Sequence, residues 1–129
     1  MNRELLACFD RQRRRRGYRS RSEAIRDLVR HDLVEQQWQA GKGEVVGTVT
    51  IVYDHQSREL DHLLTEMQHS DQQAVLCTTH VHLDRRNCLE VIVVRGAPGR
   101  VRSMADRLIS ARGVKHGRLV CTTTGKRLA

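Results

Sequence analysis

Two histidines and a cysteine have the spacing of a metal site. His80 and His82 are separated by one residue, and Cys88 follows after five more. Because alternate residues of a β-strand share a face, both imidazoles can converge on one ion, and a hairpin would return Cys88 beside them. Imidazole and thiolate ligands together suit zinc, nickel or copper. The alternative is a solvated strand face next to a small hydrophobic cysteine.

Two further side chains can complete this candidate site. Three ligands leave one position to fill, and His69, at the end of the preceding predicted helix, is the nearest spare donor. Glu90 is predicted on the same strand face as Cys88, where its carboxylate could orient a ligating imidazole by a hydrogen bond. These residues alone do not choose among the three metals.

The histidines fall in a C-terminal segment, 44–129, whose hydrophobic pattern alternates between strands and helices. The order β-α-β-β-α-β predicts a ferredoxin-like domain of the α+β class, with helices on one face of an antiparallel sheet. The predicted strands are 45–53, 74–83, 88–94 and 118–123, and the predicted helices are 56–68 and 99–113.

The strand periods also assign side chains to the two faces of the sheet. The residues expected to point toward the helices are Val75, Cys77, Val81, Leu83, Leu89, Val91 and Val93. The metal-site residues would then share the opposite face with Thr78, Ile92 and Val94. A sheet face that its own helices leave open commonly contacts another subunit, so this assignment favours an oligomer.

Arginine dominates the start of the chain. The formal net charge is +8, and the first 30 residues hold ten arginines against four acidic residues. Guanidinium groups make forked contacts with phosphate, and clustered arginine is the usual electrostatic mark of a nucleic-acid-binding surface. The alternative is a solvated helix end whose charge complements the helix dipole. The cluster favours phosphate contact.

Two short helices are predicted within residues 1–36. Asn2 can cap the first helix, Gly17 can end it, and Ser20 with Glu23 has the spacing of a capping box for the second. Two helices of this size bury too little apolar area to stand alone, so they need a partner, most simply a second copy. Residues 37–43 are polar with two glycines and are predicted to be a linker.

Several classes of protein are disfavoured. No apolar run approaches the length of a membrane span and no signal-peptide pattern is present, so we expect a cytoplasmic protein without a membrane partner. The four cysteines form no Cys-x-x-Cys pair and are expected to be reduced thiols. No nucleophile with a paired base stands out. We therefore expect a binding protein without a small-molecule substrate, and not an enzyme.

The sequence resembles the NikR family of nickel-responsive transcriptional repressors over essentially its whole length. The matching segments are 16–27 (RGYRSRSEAIRD), 80–82 (HVH), 88–90 (CLE) and 112–117 (RGVKHG). The resemblance implies an N-terminal ribbon-helix-helix domain that binds operator DNA and an ACT-type regulatory domain. It further implies a homotetramer built as a dimer of dimers, which represses nickel uptake genes when Ni²⁺ fills a site of three histidines and one cysteine.

The resemblance also assigns individual residues. The nickel ligands would be His80, His82 and Cys88 of one subunit together with His69 of its neighbour. A ligand from across a subunit boundary would tie metal occupancy to the geometry of the tetramer and so to DNA affinity.

Two more sets of residues follow from the same resemblance. A second cation site, of potassium type, would use Glu23 and Asp27 at the interface between the domains. Arg19, Arg21 and Ser22, at the start of the second predicted helix, would contact DNA phosphates. The N–H groups of a helix start favour an anion independently.

One part of the family pattern has no counterpart. Ribbon-helix-helix proteins read bases with an N-terminal strand, and only Met1 precedes the segment that follows this strand in the family. We expect the 129-residue chain to bind DNA weakly, with steep salt dependence and little sequence preference, and we favour a start codon placed too late. The alternative is a metal- or small-ligand-binding regulatory module that has lost specific DNA binding by truncation.

Overall fold

Two helices, α1 (Arg3–Arg15) and α2 (Arg21–Ala40), begin the chain in the computed structural model, which describes residues 1–70 and 73–128. The side chain of Asn2 caps α1, and Gly17 takes a φ of +83° in the turn that follows. Ser20 accepts a hydrogen bond from the backbone N–H three residues later and so caps α2. The expected helix boundaries at this turn are therefore observed.

The helix pair leaves much of its apolar surface open. Met1–Gln36 forms one compact unit, and α1 buries none of its side chains. The half-exposed hydrophobic side chains of this unit are Leu5, Ile25, Leu28, Val29 and Leu33. So many exposed apolar side chains on so small a unit are typical of a surface that a partner covers.

The second compact unit, Gln37–Ala129, contains a four-stranded antiparallel sheet and two helices. Its elements are β1 (Val45–Asp54), α3 (Arg58–Ser70), β2 (Val75–His82), β3 (Asn87–Gly96), α4 (Pro98–Ile109) and β4 (Val114–Thr122). The strand order β2-β3-β1-β4 is that of a ferredoxin-like domain, as predicted. Within the described residues, no helix is both long and apolar enough to cross a bilayer.

The last helix and strand differ from the prediction in their bounds. α4 ends at Ile109 instead of 113, and β4 begins at Val114 instead of 118. Pairing with β1 recruits the polar residues at the start of β4, which the sequence pattern does not mark as a strand. Gly117 lies within this stretch because a Cβ there would approach Ile109 and Ile51 to within 2.9 Å.

The predicted linker is partly helical. α2 continues to Ala40, and Trp38 within the expected linker is only 4% exposed. Its indole N–H donates to the carbonyl of Thr122 at 2.9 Å, and the Arg102 guanidinium lies 5.3 Å from its ring centroid. Burial of this large side chain against β4 and α4 explains why the segment is ordered and helical despite its polar composition.

The predicted assignment of the sheet faces is wrong. The side chains of β1 and β3 that the helices bury are Val45, Val49, Ile51, Tyr53, Cys88, Glu90, Ile92 and Val94. Leu89, Val91 and Val93 lie on the open face, and Val81 and Leu83 are more than 40% exposed. Both faces of β3 carry apolar side chains, so alternation alone does not show which face meets the helices.

Candidate metal centre

The hairpin of β2 and β3 brings the candidate ligands together. In its register His80 lies opposite Glu90, and His82 lies opposite Cys88. The turn between the strands is held by Asp84, whose Oδ1 accepts from two backbone N–H groups at 2.8 Å each. Hydrogen bonding from the Asn87 side chain and these backbone groups lowers the pKa of Asp84 to about 2. The turn thus keeps its capping charge over the whole neutral range.

Three ligand atoms of this hairpin converge. One atom each from His80, His82 and Cys88 lies within 4.8 Å of the other two. The two imidazole centroids are 4.7 Å apart with their planes at 75°, and the Cys88 Sγ is 3.5 Å from the Nδ1 of His82. The cysteine is fully buried whereas both histidines are exposed. The cluster therefore opens toward the outer edge of β2, which is an edge strand of the sheet.

A buried carboxylate orients the first histidine. Glu90 is only 6% exposed, and its Oε2 lies 2.9 Å from the Nδ1 of His80. Because a carboxylate can only accept, we assign the proton of His80 to Nδ1, which leaves Nε2 with a free lone pair. The hydroxyl of Tyr53 lies 3.0 Å from the same Nδ1. Sequence reasoning missed Tyr53, and its only signal is a strand position that pairs with Cys88.

Burial and the nearby Glu90 carboxylate disfavour ionisation of the thiol and the phenol in the cluster. Burial raises the pKa of the Cys88 thiol, and the charge of Glu90 raises it further. Burial and the same carboxylate also raise the pKa of Tyr53. A bound divalent metal ion reverses this balance for a thiol, because it stabilises the thiolate directly. Two imidazoles, one thiolate and an imidazole-orienting carboxylate fit a borderline metal such as nickel, zinc or copper, and do not fit magnesium or calcium.

His69 does not join this cluster within one chain. It lies at the C-terminal end of α3, where its side chain is exposed. The described residues thus supply three converging ligands, and a fourth from His69 of another subunit stays a prediction.

The residues predicted for a second cation site have protein partners. The hydroxyl of Tyr18 donates to Asp27 at 2.5 Å, and Arg30 donates to the other oxygen of that carboxylate at 3.3 Å. The Tyr18 hydrogen bond is the main reason that the pKa of Asp27 is lowered. Glu23 accepts from the backbone N–H of Arg19 at 3.3 Å. Potassium binding by Glu23 and Asp27 stays a prediction.

The predicted phosphate contacts surround the start of α2. Arg19, Arg21 and Ser22 are all exposed there. Helix geometry leaves the backbone N–H groups of Arg21 and Ser22 without intrahelical acceptors at the positive end of the helix dipole, whereas the N–H of Glu23 is capped by Ser20. Arg21 also forms a two-pronged ion pair with Asp10, which no local sequence pattern indicates.

Comparison with known proteins places both units. Residues 46–122 match the family model of the NikR C terminal nickel binding domain, and residues 1–36 match that of ribbon-helix-helix proteins of the copG family. An uncharacterized protein from Thermotoga maritima superposes on 61% of this chain and 98% of its own with a TM-score of 0.51. Its sequence is only 14% identical, so this likeness concerns the fold alone.

Relatives named as nickel-responsive regulators are similar along nearly the whole chain. The relative from Geobacter metallireducens is 54% identical over 125 residues, which cover 97% of this chain and 90% of that protein. The relative from Geotalea uraniireducens is 55% identical over 96% of this chain and 89% of its own. The relative from Thermococcus onnurineus is 51% identical over 97% of this chain and 91% of its own. This chain belongs to the NikR family, with a ribbon-helix-helix domain followed by a NikR C-terminal domain.

Proposed function

We propose that this protein is a transcriptional regulator that binds duplex DNA when nickel occupies a site formed by His80, His82 and Cys88 with His69 of a neighbouring subunit. The observation that supports it most is the convergence of two imidazoles and a thiol, within 4.8 Å, in a chain that also has a ribbon-helix-helix unit. We propose that the regulator acts in the cytoplasm and represses genes of nickel uptake. It acts by binding and not by catalysis.

Each part of the candidate site has a role in this proposal. His80 and His82 offer imidazole nitrogens from β2, and Cys88 offers its thiolate from β3. Glu90 fixes the tautomer of His80 so that Nε2 faces the ligand. When bound, nickel supplies the charge that holds these groups and a histidine of a second subunit together. This linkage between subunits is what would bias DNA affinity.

The N-terminal unit supplies the DNA contacts in the proposal. The exposed arginines Arg14, Arg15, Arg16 and Arg19 lie at the end of α1 and in the turn before α2. Together with the N–H groups at the start of α2, they suit the phosphate backbone. The proposal also includes potassium bound by Glu23 and Asp27. To bind the cation, the Asp27 carboxylate must give up a hydrogen bond from Tyr18 or from Arg30.

The proposed assembly is a homotetramer, a dimer of dimers. Both units leave apolar side chains exposed, and those on the open face of the sheet include Val81 and Val120 at 41% and 55% exposure. Burying such side chains against another copy is favourable by about 25 cal/mol per Å² of apolar surface. We expect light scattering to give four times the chain mass of 14.9 kDa.

A charge on the open sheet face tests this assembly. Val120→Lys is expected to shift the population to smaller species, because it places an ammonium in the proposed contact. Ser103→Lys, on the exposed side of α4, adds the same charge and is the matched control. A wild-type mass of one chain at micromolar concentration would contradict the tetramer.

The central test joins metal and DNA in one experiment. Purified protein, stripped with a chelator, is titrated with nickel and then mixed with fragments of its own genome in a mobility-shift assay. We expect nickel to bind in a one-to-one ratio to the chain's single His-His-Cys cluster among the described residues, and DNA to shift only when nickel is present. Nickel binding without any effect on DNA would instead favour a metal-binding module that does not regulate transcription. Failure to bind nickel would reject the proposal.

A further inference from the structure

Asp10 is an acidic residue inside the basic N-terminal unit, and two arginines meet at its carboxylate. Arg21 donates from Nε to one oxygen at 3.0 Å and from Nη2 to the other at 2.7 Å. Arg13 lies 3.5 Å from the first oxygen. The carboxylate is consequently only 14% exposed, although it lies on the surface helix α1. The contact between Asp10 and Arg21 is a two-pronged ion pair, which fixes the relative orientation of the two side chains.

The same network fixes the turn between the helices. From its other end, Arg13 donates through Nη1 to the carbonyls of Tyr18 and Arg19 at 3.1 Å each. Asp10 on α1 is thereby connected to this turn through Arg13 and to the start of α2 through Arg21, the first residue of that helix. The hydrogen bond from Arg21 lowers the pKa of Asp10 to about 2, so the carboxylate is charged at any pH where the protein would bind DNA.

We propose that Asp10 is a positioning residue for DNA binding, which holds Arg21 and the start of α2 in the arrangement that meets a phosphate. The inference rests on the proposed function and adds to it a residue that does not itself touch DNA. Asp10 uses Nε and Nη2 of Arg21, and Nη1 lies outside this pair. That nitrogen and the backbone N–H groups of Arg21 and Ser22 are what the network presents to the anion.

This role predicts an effect opposite in sign to simple electrostatics. Asp10→Asn removes a negative charge from a unit that must approach a polyanion, so charge alone predicts tighter DNA binding. If Asp10 positions Arg21, the same change releases a long side chain that must then be ordered on binding. We expect DNA affinity to fall by about 3- to 10-fold, in line with the cost of immobilising one or two such side chains.

The experiment compares Asp10→Asn with the wild-type protein and with Asp32→Asn. Asp32 is an exposed aspartate on α2, outside this network, so its replacement makes the same charge change. Nickel-loaded proteins are titrated against a fluorescent mixed-sequence duplex at several salt concentrations, and binding is followed by anisotropy. We expect weaker binding for Asp10→Asn, and unchanged or tighter binding for Asp32→Asn. Thermal unfolding and nickel affinity, measured in the same buffer, show whether each variant is folded.

A double-mutant cycle separates positioning from a general loss of structure. Arg21→Lys keeps the charge but not the fork, so in its background Asp10→Asn should cost little further affinity. Additive losses in the cycle would overturn the proposal, as would tighter or unchanged binding by Asp10→Asn. In those cases wild-type DNA binding, and with it the proposed function, still stands. A wild-type protein that binds no duplex with nickel present would overturn both.

Discussion

A variant in which His80 and Cys88 are both replaced by alanine is expected to lose tight nickel binding. These residues supply one of the two imidazoles and the only thiol of the cluster, and Cys88 is its one fully buried member. Loss of a single outer partner of a metal ligand typically weakens binding by 10- to 100-fold, so loss of two direct ligands should exceed about 10³-fold. Competition titration against a chelator of known affinity measures the change.

The fold should survive this substitution. His80 is exposed on an edge strand, and Cys88→Ala removes one sulfur atom from the core. The matched control replaces one histidine and one cysteine outside the cluster, His62→Ala with Cys77→Ala, both of which are exposed. Nickel affinity equal to that of the wild type in the His80/Cys88 variant would refute the site, whereas the control should keep it.

The order of elements could be predicted from the sequence because each element carries its own local signal. The strand β1 is a β-branched run, α3 has leucines at helical spacing, and the β2–β3 connection has the length of a hairpin turn. The hairpin then fixes the metal-site register, since His82 and Cys88 pair across it. The convergence of three ligands therefore follows from local sequence alone.

The sheet faces could not be predicted because they depend on which apolar face α3 and α4 cover. β3 presents Val91 and Val93 on one side and Ile92 and Val94 on the other, so alternation gives no preference. The outcome also reverses the meaning of Glu90. On an open face it would be a solvated carboxylate, whereas beneath the helices it is a buried charge that needs a partner.

Partners that come from distant parts of the chain were also beyond sequence reasoning. Tyr53 reaches His80 from another strand, and Trp38 reaches Thr122 across 84 positions. The family resemblance predicts Arg21 only as a phosphate contact, and its pairing with Asp10 depends on how the two helices pack. Local patterns specify what a side chain can do, and tertiary packing decides which partner it has.

Glu90→Gln is expected to weaken nickel binding strongly, because it removes the charge that orients His80 without removing a ligand. The carboxylate accepts from Nδ1 of His80 at 2.9 Å and so keeps Nε2 unprotonated. A carboxamide can instead turn its NH₂ group toward Nδ1, which moves the proton to Nε2 and blocks that nitrogen as a ligand. We expect nickel affinity to fall by about 10- to 100-fold.

The same substitution should leave the stability of the metal-free protein unchanged or raise it. Glu90 is a buried charge, and burying a charge costs more free energy than burying a neutral amide of the same shape, so Glu90→Gln is not expected to destabilise the fold. Urea unfolding of the metal-free protein and chelator competition with nickel therefore need to be measured together, with the exposed Glu59→Gln as the matched control. A fall in both quantities would mean that Glu90 serves the fold. A fall in nickel affinity alone, absent in the control, would show that the buried carboxylate serves metal binding and does not stabilise the fold.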